Sequence, residues 1–322
     1  IWSEISHSDT YLLEYLANNS WQPDRTETKQ ATQRYCESRY PSEAVDEMNT
    51  LWESFLTLSQ SHNWGLGGIN SENQFRILTS NQFINPTSGQ IDNLNFDFKK
   101  LYPGLKESVK VLSKLAEMAK EYYGNPLWQR DATDMARTIA SNALYMSLAK
   151  GAVQMEEWRN KKADASDIRE LAKLSKDLLA TLSDIVSMSD DFSMYTSLQK
   201  LSDAKPIEGI ALTVNSHSEQ TLKANSENGY CRSHHYELVE HVYRPELDVY
   251  WDWVLKRIKS GDRSEWKRPK EFSEKGKIIE DKFYETLLKV MAPPTKNRNA
   301  KSFSKVLLQL NNQVNELLEK ME

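Results

Sequence analysis

Glycine is the first shortage. The 322 residues include 11 glycines and 10 prolines, whereas ordinary glycine usage near 7% gives about 23. β-Sandwiches and doubly wound folds use glycine at frequent turns and phosphate loops. The shortage therefore predicts an all-α, multi-helix, bundle-like domain with a few long irregular loops. Long apolar runs are also missing. No stretch of about 18 apolar residues occurs, and mean hydropathy is −0.68, so no membrane span is predicted. Nor is one sign of charge dominant. The 41 basic and 46 acidic residues are intermixed, net −5, which gives no sustained basic run to neutralise phosphates and reads as no nucleic-acid partner. Only two cysteines are present, Cys36 and Cys231. They allow one disulfide or two thiols and leave the compartment open. The start, Ile1–Trp2–Ser3–Glu4, lacks the basic and apolar regions of a signal peptide and reads as a fragment or processed product. The sequon Asn18–Asn19–Ser20 is compatible with secretion.

The length suits about two domains or one large helical one, and the spacing of apolar residues divides it. Residues 1–60 read as N-terminal helices, with Val45, Met48, Trp52 and Phe55 at helical steps after Pro41–Ser42. Across 61–103 the period disappears among Gly65, Gly67, Gly68, Asn85–Pro86 and Ser88–Gly89, which predicts a long irregular loop. Residues 104–322 read as the main helical domain. Its stripes run through Val109 to Tyr122, Met135 to Trp158, Ile168 to Ile185, His234 to Ile258 and Phe303 to Leu317. Pro245 is expected to bend or divide the fourth of these. The last is close to a heptad, but it is short and is expected to pack on its own chain rather than on a coiled-coil partner. Two segments, 189–229 and 261–276, read as connections, the second highly charged.

Few motifs carry chemistry. Gly65–Leu66–Gly67–Gly68 lacks both the preceding strand and the third glycine of a dinucleotide loop, and Walker, zinc-protease and nucleophile-elbow motifs are absent. No cofactor is predicted. Cys231, His234, Glu237 and His241 fall at steps of three, three and four, so a helix would align them as zinc-type ligands. A solvent-facing polar stripe needs no metal and is the reading adopted, with His234, Glu237 and His241 as minor metal candidates. Asp131, Asp134 and Arg137 form a stripe at the start of a helix. Acids there favour the helix dipole, and Asp134 can pair with Arg137. Glycosidase chemistry would instead need two carboxyl groups facing each other across a sugar.

These residues also carry a resemblance. Tyr230, Leu238–Val239, Tyr243, Pro245 and Tyr250 are similar, without a gap, to the D-Y-A-x-x-x-x-x-G-L-V-x-x-Y-Y-x-P-R-W-x-x-F stretch of the α-N-acetylglucosaminidases, glycoside hydrolase family 89. Trp128, Asp131, Asp134 and Arg137 resemble that family's F-x-x-D-x-x-D-x-x-R. Trp21, Arg39–Tyr40 and Trp52 sit like its W, R-R-Y and A-W landmarks. The resemblance implies the helical C-terminal region of a retaining, exo-acting glycosidase that removes terminal α-N-acetylglucosamine from glycosaminoglycans such as heparan sulfate. It implies two glutamates on a TIM barrel supplied by a separate or missing chain, and a secreted or lysosomal location. Glu4 stands 17 residues before Trp21, the family's spacing from nucleophile to tryptophan, and is marked as candidate nucleophile. Tyr102 and Lys223 are marked as substrate-binding. Lys223 replaces a pocket tryptophan, and its ammonium would attract a sulfate or carboxylate where an aromatic face would stack on a sugar. A non-catalytic binding or scaffold module descended from this domain is the alternative.

Overall fold

The computed structural model describes residues 10–21, 26–59, 77–78, 83–84, 88–193, 195–196, 200, 235–289 and 297–321. Among these the fold is all-α, and no strand occurs. The helices are α1 (Thr10–Trp21), α2 (Thr28–Arg39), α3 (Ser42–Ser59), α4 (Ser88–Tyr122), α5 (Pro126–Arg159), α6 (Ala165–Val186), α7 (Arg244–Ser260), α8 (Glu271–Lys289) and α9 (Ala300–Glu319). Four of them close a ring: α9 lies along α4, α4 meets α5, α5 lies along α6, and α6 meets α9. α3 packs on α4 and α2 on α3, while α7 covers α6.

α5 runs through the centre. Nearly every residue from Asp131 to Ala149 is buried, which identifies a helix enclosed on all sides rather than an amphipathic surface helix. Small residues permit this. At Gly151 a Cβ would lie 2.8 Å from the ring of the buried Trp251, so α7 approaches α5 at a distance only glycine allows. The N-terminus of α5 is capped by Asn125, whose Oδ1 accepts from the Trp128 N–H at 2.9 Å, with Pro126 in the first turn. α6 and α9 each bury one stripe, through Ile168, Leu171, Leu178, Leu182 and Ile185 and through Phe303, Leu307, Leu310, Val314 and Leu317. The near-heptad of α9 is thus satisfied within the chain, as its spacing predicts.

One expectation is corrected. The stretch 88–103, read as the end of an irregular loop, belongs to α4, which continues through Pro103. Proline removes the hydrogen bond to the carbonyl four residues earlier, here that of Lys99, an exposed residue. Gly104 then lets α3 close in, since a Cβ there would lie 2.9 Å from Leu58 Cα. Similarly, Gly276 in the predicted 261–276 connection lies inside α8. Pro245 acts as expected. The segment from Tyr236 passes through a π-turn at Val239–Tyr243 before α7 begins at Arg244. The wider turn accommodates the missing donor without ending the helical path.

Candidate functional site

Two sequence stretches about ninety residues apart meet at Asp131. Near the start of α5 its carboxylate, 2% exposed, faces the end of α2. Arg39 donates in bidentate fashion, Nε to Oδ2 at 2.7 Å and Nη2 to Oδ1 at 2.8 Å. The Tyr40 hydroxyl donates to Oδ2 at 2.7 Å, the Tyr35 hydroxyl approaches at 3.4 Å, and Trp52 Nε1 on α3 donates to the Tyr40 oxygen at 3.0 Å. Aromatic rings seal the cluster: Trp52 stacks on Tyr11 at 5.5 Å, Tyr35 meets Trp52 edge-on at 5.4 Å, and the Arg39 guanidinium lies 4.8 Å above the Tyr35 ring. Burial and the adjacent Asp131 charge push the Tyr40 and Tyr35 hydroxyls far above the ordinary tyrosine range, so both remain donors. Cys36 is a buried free thiol, pushed up to about 12 chiefly by burial, which makes it unreactive.

One turn along α5, Arg137 donates to Asp134 Oδ1 at 3.0 and 2.7 Å, and its guanidinium lies 5.9 Å from the Phe192 ring. Burial raises the Asp134 carboxyl despite the pull of Arg137. The predicted ion pair is therefore present, inside the core. Asp131 accepts from arginine and tyrosine and Asp134 from arginine, and both are buried. The Asp131 cluster joins the end of α2 to α5, whereas the Asp134–Arg137 pair lies within α5.

The remaining predicted site residues that are described take separate places. Tyr102 sits on α4, half-buried and packed against the core, rather than on a loop. Glu237 is 3% exposed and caps the turn at 193–196, accepting from Ser193 Oγ at 2.8 Å and the Tyr195 N–H at 3.0 Å. His241 is exposed, its ring 6.3 Å from that of Tyr236. Glu237 is thus buried and His241 exposed, and among the described residues no group of three or more metal-type ligands exists. Of the two readings of that stripe, its described members favour neither a common metal nor a common solvent face. Glu4, Lys223, Cys231 and His234 lie outside the described residues, as do most of 61–103 and 189–229. Trp52, Leu238 and Tyr250 are core residues, with 3%, 0% and 0% exposure. Trp21 instead stands 88% exposed at the end of α1.

Hollows in the described surface are either too small or too sparsely charged. A cleft of about 20 Å³ between α1 and α2, lined by Tyr11, Glu14, Tyr15 and Arg34, is far smaller than the roughly 300 Å³ of a small-molecule site. An open depression of about 540 Å³ runs along the outer face of α9 and carries one carboxylate, Glu316, where glycoside hydrolysis takes two. Two features escaped the sequence reading. Glu246, wholly buried at the start of α7, accepts from the Leu78 N–H at 3.4 Å, and no local pattern marks it. The joining of Arg39 to Asp131 is visible only once α2 and α5 are placed together. The chain matches no family model and no curated protein sequence.

Proposed function

We propose that this chain is the helical C-terminal part of a glycosidase resembling the α-N-acetylglucosaminidases of family 89, acting as the support on which a barrel bearing the catalytic glutamates is held. One observation carries the reading. Arg39–Tyr40, Trp52 and Asp131 belong to three separate stretches of the resemblance, and they meet in one buried hydrogen-bonded cluster. Residues spaced along a motif and reunited by the fold form a framework, and this framework uses its carboxylates structurally. Chemistry then belongs to the barrel, on terminal α-N-acetylglucosamine of glycosaminoglycans such as heparan sulfate, in a secreted or lysosomal setting. Lys223, in place of a pocket tryptophan, favours a second reading, a scaffold or binding module without turnover.

Hydrolysis of a chromogenic α-N-acetylglucosaminide by the isolated chain tests the division of labour. A positioned general acid typically contributes about 10²–10⁴-fold, so the chain alone is expected to be inactive, and turnover by it would overturn the proposal. Native gels and intact-mass measurement of material purified from its source separate the two readings. A barrel-sized polypeptide joined to or copurifying with the chain supports the enzyme, and a chain found without one supports the module.

A further inference from the structure

We infer that the end of the bundle where α5, α7 and the 261–270 connection meet is a binding surface for a sulfated polysaccharide chain, separate from any catalytic pocket. Residues 156–162 and 256–270 together contain ten basic and four acidic residues, net +6, in a chain whose net charge is −5. The fold joins these two stretches. Arg263 reaches from the connection to the Trp158 carbonyl at the end of α5, with its guanidinium 4.4 Å from the Trp158 ring. Trp266 Nε1 donates to the Met155 carbonyl at 3.1 Å and anchors the connection across the helix end. Arg257 lies 4.2 Å above the Trp266 ring and donates to the carbonyls of Asp262, Ser264 and Glu265.

Most of this charge is left unneutralised. Arg263 and Arg257 give their hydrogen bonds mainly to neutral carbonyls, although Asp262 stands 3.5 Å from Arg257 and Arg159 pairs with Glu156. Lys161, Lys162 and Lys259 are exposed and make no ion pair among the described residues, while Lys267 pairs loosely with Glu265 at 3.1 Å. Lys161 adds a second sign. It is the described non-glycine residue with positive φ, 61°, in the turn that ends α5. The equivalent turn after α7 uses Gly261, at 71°, the residue that adopts this region without penalty. A lysine there keeps a charge at a conformational cost.

The chemistry of the surface selects among polyanions. Trp158 and Trp266 are covered by guanidiniums, 4% and 1% exposed, so neither offers a platform on which bases stack. Separate, exposed ammonium groups suit a flexible chain with spaced sulfates and carboxylates. The preference for a sugar chain rests on the proposed function, whereas the clustering of charge stands without it.

The test is calorimetric titration of the full chain with a fully sulfated heparin dodecasaccharide whose non-reducing end is a uronic acid. Such a ligand has no terminal α-N-acetylglucosamine, so the result is independent of hydrolysis. Binding is expected, weakening as salt rises. The triple variant K161E/K162E/K259E is expected to lose at least about tenfold in affinity and to flatten the salt dependence by about three charges. The control K29E/K301E/K305E, with equal charge change on other exposed lysines, is expected to stay within about twofold. Lys161→Gly separates charge from fold, because it relieves the strained turn: affinity falls while the melting temperature holds or rises. Absence of binding by the native chain, an equal loss in the control, or duplex DNA bound as tightly with the same lysine dependence would overturn the inference.

Discussion

Arginine over an aromatic ring occurs at both ends of the molecule, with opposite consequences. At Asp131 the Arg39 guanidinium lies over Tyr35 and spends its donors on a buried carboxylate. At the far end Arg257 and Arg263 lie over Trp266 and Trp158 and spend theirs chiefly on backbone carbonyls. A carboxylate cancels the charge, whereas a carbonyl only orients it. The first cluster therefore binds helices to one another, and the second leaves a positive field at the surface. What a guanidinium contributes is set by the charge of its acceptor rather than by the ring beneath it.

The sharpest way to break this contrast is Asp131→Ala. It leaves the Arg39 guanidinium buried without a counter-charge, and removal of one partner from a buried pair costs about 3–5 kcal/mol. Trp52→Ala, which removes both the ring and the donor to Tyr40, is expected to cost a similar roughly 3–5 kcal/mol. Urea denaturation measures both, and a loss below about 1 kcal/mol in either would show that the cluster does not hold α2 and α3 to α5. Gly151→Ala is expected to cost about 1–3 kcal/mol, because the added methyl meets Trp251 in an overpacked core. The gain in helix propensity of up to about 1 kcal/mol offsets part of this. A stabilised variant would mean that α7 yields freely.

Smaller effects belong to the basic end. Arg159 donates from Nε to Glu156 at 2.8 Å, and this bond holds the Glu156 carboxyl below its ordinary value of 4.5. The stabilisation is therefore fully present above that value and is lost as pH falls through the lower folded-state value. The pair is partly exposed and screened, so about 0.2–1 kcal/mol is expected. Glu156→Gln should remove that portion of the acid-limb slope in stability measured between neutral pH and pH 3, and an unchanged slope would assign the loss to other carboxylates. Least of all, K161E/K162E/K259E should change stability by no more than about 0.5 kcal/mol. A large loss would make those lysines structural and erase the difference between the two ends.

The helical stripes show how far a sequence carries the fold. Val45, Met48, Trp52 and Phe55, or Phe303 to Leu317, announce a helix and its buried face because a 3.6-residue period is local information. The same rule misleads at 88–103. There Gly89 and Pro103 read as breakers, while α4 runs on through both, and Gly104 lets it meet α3. α5 conceals its role differently. The stripe from Met135 to Trp158 marks one buried face, yet residues on every face are buried, so its central position depends on which helices surround it.

Composition and period by themselves determined that this chain is all-α, where its main stripes lie, and that Asp134 and Arg137 can pair one turn apart. Tertiary structure alone decided that Asp131 takes its arginine from α2, that Glu237 is buried while His241 is exposed, and that the lysines following α5 and at the end of α7 lie at one end of the bundle. The reason is range. Helical periodicity is settled within a few residues, whereas the partner of a buried charge and the field of a surface depend on residues dozens to more than a hundred positions apart, whose meeting is fixed only when the helices pack.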